Sequence, residues 1–366
     1  MDVGAVLRAP ARLHLEKLAE VPRPAGSAAE ARARAYCAEV LGSAGLTTAE
    51  EPFSYSELPG RAGTPALGLG FGAVLVVAAY LAQRGNPETA LAILVGAGLL
   101  GGTAAWWIAR FGVLSLPWRR AQSTNLVATR GNPSVWLVAH LDSKSQPVPI
   151  LARALGIAGL LGFGALAVVV AAVQVAEGDV EWAWPWVTGF GVLAALPVAA
   201  TLVRADSPGA LDDASGVSTV LLVAQSLPAE LALGVVLTSA EELGLAGARA
   251  WARERGPAHA INVDGVDDTG DLRLTWTGKR PTTLLEVLKA EAGRVGARVR
   301  VGRLFPGVMV DAIALSDAGW QVVTVSRGTL RTVARIHTSR DSLTHLSGEG
   351  VALAASIIRA AITTGA

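Results

Sequence analysis

Acidic residues and histidines stand at the ends of several apolar runs in this chain, where their side chains could share metal ions. The candidate ligands, in chain order, are His140, Asp212, Glu242, Asp264 and His337. Imidazole nitrogens and carboxylate oxygens are ligands that zinc takes in catalytic sites, where a position stays open for water or substrate. Any one of these residues is weak evidence, but all five in this order predict a two-metal hydrolytic centre.

The first candidate ligand belongs to an H-x-D motif. His140 and Asp142 end the apolar run 135–139, and residues two apart on a strand point to the same side. We therefore expect the carboxylate of Asp142 to reach the ring of His140, because such a carboxylate fixes the tautomer of a metal-binding histidine. An incidental H-x-D is the alternative when this motif is taken alone.

Two pairs of adjacent acids stand in turns, Asp212-Asp213 before A-S-G and Glu241-Glu242 before L-G-L-A-G. Neighbouring carboxylates repel each other unless a cation is close. The alternative roles are a helix N-cap for Asp213 and favourable interaction with a helix dipole for the second pair. Capping does not explain both acids of the first pair, and the second pair follows the buried run 233–237. We expect both pairs to face the site.

Three other histidines could in principle bind metal: His14, His259 and His345. The first lies on a charged helical segment and is expected at the surface. His259 begins the strand that ends in Asp264. It therefore lies at the opposite end of that strand from the acid and is interpreted as structural. The third is the only competing ligand, and His337 is preferred to it because His337 begins the motif H-T-S-R-D.

Apolar runs alternate with amphipathic segments in the parts of the chain that carry these motifs. The predicted strands are 126–128, 135–139, 233–237, 260–263, 299–301 and 322–325, and the main predicted helices are 217–224, 245–253, 284–295 and 351–362. The first two strands are expected to form a hairpin around Gly131-Asn132-Pro133. The alternation predicts a three-layer α/β domain with a mainly parallel sheet, in which ligands collect at the carboxyl ends of strands.

Four stretches contain no charged residue, namely 62–83, 89–109, 154–176 and 182–203. Each has the ~20 apolar residues that a helix needs to cross a bilayer core. Buried core helices are the alternative, although core helices rarely lose every charge over such a length. We expect two transmembrane helical hairpins, 61–118 and 148–204, inserted into a zinc-peptidase domain formed by 1–60, 119–147 and 205–366.

Basic residues near the predicted membrane helices are concentrated on one side. On the side shared by the three domain segments they are Arg61, Arg110, Arg119, Arg120, Lys144, Arg153 and Arg204. The opposite side has only Arg84, and the turn 177–186 carries three acids and no base. Short cytoplasmic loops carry an excess of Lys and Arg. The sequence therefore predicts an integral membrane protein with four transmembrane helices and a cytoplasmic catalytic domain.

Composition excludes some other classes of function. The net charge is +1, and no basic run interleaves with aromatic residues, which argues against a nucleic-acid partner. The single Cys37 excludes a disulfide framework and a thiolate zinc cage. Residues 1–60 show no basic-then-apolar signal, so we expect membrane targeting to come from the internal hairpins.

Taken together, the motifs resemble the co-catalytic dizinc aminopeptidase family, which also includes aminopeptidase Y, glutamate carboxypeptidase and the transferrin receptor. The matching motifs are H-L-D-S, P-G-A-L-D-D-A-S-G, T-S-A-E-E-L-G-L-A-G, N-V-D-G and I-H-T-S-R-D. The segments P-R-P-A-G-S and 311–320 are similar as well. The likeness covers nearly all of the non-membrane segments and neither hairpin.

The resemblance implies two zinc ions and a role for each site residue. The implied ligands are His140, Asp212 and Asp264 for one zinc, and Asp212, Glu242 and His337 for the other. Asp212 would bridge the ions, Glu241 would be the general base, and Asp142 would orient His140. A cis peptide bond between Asp212 and Asp213 is implied too.

The chain departs from the family at one loop. In ordinary members H-L-D-S-K-S-Q and S-P-G-A-L-D-D are halves of one short connection, whereas here the second hairpin separates His140 from Asp212 by 72 positions. Both ends of a helical hairpin return to the same membrane face, so the two halves can still meet. We therefore expect the active site close to the bilayer surface.

The function implied by the resemblance is that of a zinc-dependent exopeptidase. Such an aminopeptidase removes N-terminal residues from peptide substrates through a dizinc-activated water. One alternative is a glutaminyl-cyclase-like acyltransferase with a single zinc, and another is a non-catalytic receptor or scaffold on the same fold. The intact Asp212 and the E-E and H-T-S-R-D motifs favour the peptidase.

Overall fold

Two units make up the chain in the computed structural model, which describes residues 3–365. The first unit contains the described residues up to Tyr55, Arg120–Ser145 and the chain from Ala205 onwards. The second contains Ser56–Arg119 and Gln146–Arg204. Each apolar pair of helices is therefore an insertion into the chain of the first unit.

The helices and strands are numbered along the chain. The helices are α1 (Val3–Leu18), α2 (Ala28–Ser43), α3 (Leu58–Gln83), α4 (Pro87–Trp107), α5 (Val113–Ser115), α6 (Ile150–Glu177), α7 (Trp184–Ala199), α8 (Ser215–Ser226), α9 (Ala246–Ala252), α10 (Thr282–Arg294), α11 (Asp311–Asp317), α12 (Leu330–Val333) and α13 (Glu349–Thr364). The strands are β1 (Thr47–Ser56), β2 (Arg120–Arg130), β3 (Val135–His140), β4 (Leu233–Thr238), β5 (His259–Val266), β6 (Asp271–Trp276), β7 (Val299–Arg303) and β8 (Gln321–Gly328).

The first unit is built on one eight-stranded sheet with the order β1-β2-β4-β3-β5-β8-β6-β7. Its central strands are parallel, since β3 pairs in parallel with β4 and β5, and β8 pairs in parallel with β5. Antiparallel pairs join β2 to β4 and β6 to β8. The predicted α/β class is confirmed, and the sheet is mixed with a parallel centre.

Helices cover both faces of this sheet, because successive residues of its central strands enter two different cores. Leu137 and Val235 pack with the apolar faces of α1, α2, α8, α10 and α13. Their neighbours Val138 and Val236 pack with α9 and α11 on the other face. Strands buried on both faces have near-continuous apolar sequences, which explains the runs from which these strands were predicted.

The predicted hairpin of β2 and β3 is wrong. β4 lies between them and pairs antiparallel with β2 and parallel with β3. All six residues of β4 are buried. A central position in the sheet, with a neighbouring strand on each side, therefore stabilises this strand most. The turn at Gly131 therefore connects two strands that are not hydrogen-bonded partners.

The expected surface position of His14 is also wrong. This histidine is 3% exposed, and its ring nitrogens lie 2.7 Å from the hydroxyl of Tyr36 and 3.0 Å from Oε1 of Gln225. The face of α1 that carries it packs against α2 and α8, and both polar ring atoms have partners there, as burial requires.

In the second unit, four helical segments are long and apolar enough to cross a membrane by length and composition: Leu58–Gln83, Pro87–Ser115, Ile150–Glu177 and Glu181–Ala199. Small residues allow these helices to approach closely, since a Cβ added at Gly68 would lie 2.5 Å from the nitrogen of Ala199. One buried polar side chain, Gln174, accepts a hydrogen bond from Trp184 Nε1 at 2.7 Å and donates to the carbonyl of Ala82 at 3.1 Å. Its polar atoms are thereby satisfied inside an apolar bundle.

Candidate metal centre

The candidate ligands meet at one edge of the first unit's sheet. His140 is the last residue of β3, and Glu241 and Glu242 occupy the short helical turn that follows β4. Asp264 lies near the carboxyl end of β5. These strands are parallel, so their carboxyl ends bring the side chains together, as expected for an α/β sheet.

The two remaining ligands come from loops at the same edge. Asp212 lies in the turn Ala210–Ala214 just before α8, and His337 lies between α12 and the turn Leu343–His345. The competing His345 is exposed and takes no part in the cluster.

The side chains form two groups with metal-ligand spacing. His140, Glu241 and Asp264 form one group, and Asp212, Glu242 and His337 form the other. Within each group one ligand atom per residue lies within 4.8 Å of the others. The second group matches the set implied by the resemblance, while the first contains Glu241 in the place expected for Asp212.

The carboxylate of Asp212 lies between the two histidines. Its Oδ1 is 3.0 Å from Nε2 of His140, and its Oδ2 is 3.0 Å from Nε2 of His337. The same nitrogen of His337 is also 3.0 Å from Oε1 of Glu242. A carboxylate whose two oxygens face two different imidazoles is placed to link two cations.

Asp142 contacts the site in a different way from the one predicted. Its backbone carbonyl, and not its carboxylate, accepts from Nδ1 of His140 at 3.0 Å, while the nearer carboxylate oxygen lies 3.7 Å from that nitrogen. The carboxylate instead accepts from the backbone amides of Glu241 at 3.1 Å and Glu242 at 3.2 Å. Asp142 therefore ties the histidine strand to the turn that carries both glutamates.

The glutamate turn has strained backbone on both sides. Ala240 has φ +55° and Leu245 has φ +61°, which is the left-handed region that non-glycine residues rarely adopt. Such outliers persist only where surrounding contacts impose them. The preceding Ser239 supplies such contacts, because its amide donates to Asn125 at 3.0 Å and its hydroxyl donates to the buried Glu30.

Two further aspartates hold the loop of Asp212. Asp341 accepts from the amides of Leu211 at 2.6 Å and Asp212 at 3.1 Å. Asp213 accepts from the amides of Gly216 at 2.9 Å and Gly265 at 3.1 Å. The Asp212–Asp213 peptide bond is cis, as the resemblance implied.

The acids of the site repel one another and are removed from water. Burial, reinforced by nearby carboxylates and partly offset by His140, raises the pKa of Asp264 to about 7. The same causes raise the pKa of Glu241 well above its usual range. Burial would also raise the pKa of Asp212, but hydrogen bonds from His140 and His337 outweigh it and lower that pKa.

The same carboxylates also raise the pKa values of the imidazoles, whereas burial lowers them. Burial alone lowers the pKa of His140, but Glu241, Asp142 and Asp212 outweigh burial and raise this pKa well above its usual value. The pKa of His337 is raised too, chiefly because Glu242 outweighs burial. The carboxylates of the centre outnumber its imidazoles and crowd together, which is a charge distribution that suits a dication.

Two polar residues of the centre were missed by sequence reasoning. The ammonium of Lys144 lies 2.7 Å from Oε2 of Glu242. Asp311 is buried beside the site, where burial raises its pKa to about 6. Lys144 directly follows the H-L-D-S motif, and Asp311 opens a segment that resembles the family. Neither residue was assigned a role at the site.

The donor set fits zinc. It offers two imidazoles and several carboxylates, which are zinc ligands of catalytic sites. Among the described residues, the buried Oδ1 of Asp311 beside the site has no hydrogen-bond partner. A buried polar atom without a partner, next to carboxylates that repel one another, is what a site prepared for cations presents.

Comparison with known proteins agrees with this geometry. The family model described as Peptidase family M28 matches residues 194–362. No curated protein sequence is detectably similar to the chain.

Solved structures with a similar fold come from two enzyme classes. The aminopeptidase from Aneurinibacillus sp. strain AM-1 has a TM-score of 0.58 and 16% identity, over 98% of this chain and 93% of that chain. BSAP, a zinc aminopeptidase from Bacillus subtilis, has a TM-score of 0.57 and 17% identity, over 98% and 94%. The Porphyromonas gingivalis glutaminyl cyclase has a TM-score of 0.56 and 12% identity, over 98% of each chain.

At these identities the likeness to solved structures concerns the fold, and the family match adds the segment that carries Asp212, Glu242, Asp264 and His337. Residues 194–362 thus match the model of Peptidase family M28, in agreement with the predicted resemblance to the co-catalytic zinc peptidases.

Proposed function

We propose that the chain is a membrane-bound zinc aminopeptidase that removes N-terminal residues from peptides with the help of two zinc ions. The observation that carries this proposal is the position of Asp212, whose two carboxylate oxygens each lie 3.0 Å from a different histidine. A single-metal site needs no carboxylate between two imidazoles. The family match and the similar zinc aminopeptidases support the same activity.

One zinc would be held by His140, Asp212 and Asp264, and the other by Asp212, Glu242 and His337. When bound, the two ions would lower the pKa of a water molecule towards neutrality and polarise the scissile carbonyl. Glu241 lies beside both sets of ligands without being needed in either, which leaves it available for proton transfer.

Glu241 acts as the general base in this proposal. It takes a proton from the attacking water as the water oxygen bonds to the carbonyl carbon. It then gives that proton to the amine nitrogen as the C–N bond breaks. A group works best in both directions when its pKa is near the working pH. Burial, together with neighbouring carboxylates, raises the pKa of Glu241 well above its usual value.

The proposed substrate is a peptide with a free amino terminus. Such a terminus is a cation at neutral pH, and the carboxylates of Asp264 and Asp311 lie close enough to the proposed base Glu241 to act on its charge. An N-blocked peptide lacks that charge and its donors, so it should be a poor substrate.

The proposal also includes a location, in which the chain is a membrane protein with its first unit, here called the catalytic unit, in the cytoplasm. Four helical segments have the length and composition of membrane spans. Basic residues are concentrated at the ends that connect to the catalytic unit, as in cytoplasmic loops of short-loop membrane proteins.

Turnover of aminoacyl anilides and of the matching N-blocked compounds tests the activity. The detergent-purified full chain should hydrolyse the first set and not the second, lose activity with a zinc chelator, and regain it when zinc is restored. Cleavage of blocked peptides at internal bonds would reject the aminopeptidase assignment, and chelator-resistant turnover would reject the zinc mechanism.

A glutaminyl cyclase is the second candidate, because solved glutaminyl cyclases share the fold. A peptide with N-terminal glutamine separates the two activities in one reaction. An aminopeptidase releases free glutamine and a shortened peptide, whereas a cyclase releases ammonia and keeps the peptide length. Mass spectrometry of the product identifies which reaction occurred.

A further inference from the structure

Arg23 lies in the loop between α1 and α2, and its side chain is only 2% exposed. Within the first unit, this guanidinium sits between the two chain segments that the second helical pair separates. One segment follows β3 and carries His140, and the other precedes α8 and carries Asp212.

The guanidinium donates to backbone carbonyls of both segments. Its Nε donates to the carbonyl of Leu141 at 2.8 Å. Its terminal nitrogens donate to the carbonyls of Pro208 at 2.7 Å and Gly209 at 3.1 Å, and also to that of Leu18 at the end of α1. The side chain thus joins the residue next to His140 with a residue three positions before Asp212.

Backbone contacts of Arg23 reinforce the same junction. Its carbonyl accepts from the amide of Ser143 at 2.9 Å, and its amide donates to the hydroxyl of Ser143 at 2.9 Å. That hydroxyl in turn donates to the carbonyl of Ser207 at 3.0 Å. Each side of the interrupted loop is therefore held to Arg23, and through Ser143 the two sides are held to each other.

The surroundings explain why an arginine is required. A buried cation is tolerated only when its donors are satisfied and opposite charge is near. Burial lowers the pKa of Arg23, while Asp341, Asp213 and Asp142 oppose that effect, and these are the same acids that fix the loop of Asp212 and the glutamate turn. Lysine offers a point charge without a planar fork, so it cannot bond to carbonyls on both segments in this geometry.

We propose that Arg23 is a positioning residue that joins the two ligand segments and so sets the separation of His140 and Asp212. The proposal rests on the proposed two-zinc function, because the zinc shared by His140 and Asp212 is the one that this separation controls. The set formed by Glu242, His337 and Asp212 depends on it less, because this set does not contain His140, the ligand next to the Leu141 carbonyl that Arg23 holds.

The test compares Arg23→Lys and Arg23→Ala with Arg130→Ala in the purified full chain. Arg130 is a matched control, since its guanidinium also donates to three backbone carbonyls, those of Leu231, Ala44 and Pro228, at 2.9–3.0 Å. None of these carbonyls belongs to a ligand segment. Zinc affinity is measured by competition with a chromogenic chelator, zinc content by elemental analysis, and kcat and KM by anilide turnover.

For both Arg23 variants, we expect the zinc shared by His140 and Asp212 to bind about 10- to 100-fold more weakly, as when other supports of metal ligands are removed. The second zinc should keep its affinity, and kcat should fall while KM changes little. Arg130→Ala should lower the thermal midpoint and leave both zinc affinities unchanged. If Arg23→Ala does not fold, Arg23→Lys, which retains the buried charge, decides the result.

Folded Arg23 variants with both wild-type zinc affinities would overturn the positioning role. An equal loss of both zinc ions in the Arg23 and Arg130 variants would overturn it too, since the effect would then be general destabilisation. Failure of the proposed function looks different, because it appears in the wild-type chain as absent turnover or fewer than two bound zinc ions.

Discussion

Nε2 of His140 and Oδ1 of Asp212 lie 3.0 Å apart although 72 positions separate the two residues in the chain. The inserted helical pair leaves the first unit after Ser145 and returns before Ala205. The contact therefore depends on other parts of the first unit. Arg23 holds both segments through backbone carbonyls, and Asp341 holds the amide of Asp212.

Replacing Asp212 with alanine should remove most of the bound zinc. Its carboxylate faces both histidines, so its loss takes one ligand from each of the two proposed zinc sites. We expect zinc content by elemental analysis to fall towards zero. The matched control is Asp206→Ala, since Asp206 is exposed in the same loop and contacts no candidate ligand. Two zinc ions retained by the Asp212 variant would exclude a bridging role.

Replacing Glu241 with glutamine should abolish hydrolysis and keep the metal. Loss of a positioned acid-base group costs about 10²–10⁴ in rate, whereas the proposed ligand sets remain complete. The structure makes this variant informative in a second way, because Glu241 lies within ligand distance of His140 and Asp264. Loss of one zinc together with activity would make Glu241 a ligand, and near-normal turnover would exclude it as the base.

Three of the predicted ligands, His140, Glu242 and Asp264, follow a local pattern in the sequence. A buried strand followed by an acid or a histidine is visible in a short window, and parallel strands bring their carboxyl ends to one edge. For this reason, the positions of His140, Glu242 and Asp264 in the sheet could be anticipated without a structure.

The residues that position the ligands could not be predicted from the sequence in this way. The Asp142 carboxylate bonds to backbone amides of the glutamate turn, and Arg23 bonds to backbone carbonyls 118 and 186 positions away. Every residue except proline offers the same backbone groups, so no residue type marks the partner. The order of β2, β4 and β3 was missed for a similar reason, since strand pairing is decided by burial of the whole sheet.

Glu30 should make the stability of the first unit depend on pH. Burial and the charge of Asp142 raise its pKa from 4.5 to about 7. Between these values the folded state binds more protons than the unfolded state, so stability falls as pH rises through this window. The largest loss is on the order of 3 kcal/mol once Glu30 is ionised.

Glu30→Gln tests this prediction because glutamine cannot ionise. The thermal midpoint of the wild type should fall as pH rises from 4.5 to 7, and the variant should show a smaller fall. Glu39→Gln is the matched control, since Glu39 is exposed on the same helix α2. An unchanged pH dependence in the Glu30 variant would show that other groups cause it.

The last prediction concerns the side of a membrane on which the first unit, the proposed catalytic unit, would lie. Basic residues near the ends of the four apolar helices number seven on the side of the catalytic unit and one, Arg84, on the other. The turn between α6 and α7 contains only acids among its charged residues. An excess of Lys and Arg marks the cytoplasmic side, so the zinc centre should face the cytoplasm.

Cysteines at two exposed positions can decide this orientation. Asp179 lies in the turn between α6 and α7, and Ala290 lies on the exposed face of α10 in the catalytic unit. The native Cys37 is buried, so it should contribute little background. In intact cells an impermeant maleimide should label Asp179→Cys, whereas Ala290→Cys should react only after permeabilisation. Labelling of Ala290→Cys alone would place the catalytic unit outside the cytoplasm, and the proposed substrates would then be exported peptides, because only those could reach the zinc centre.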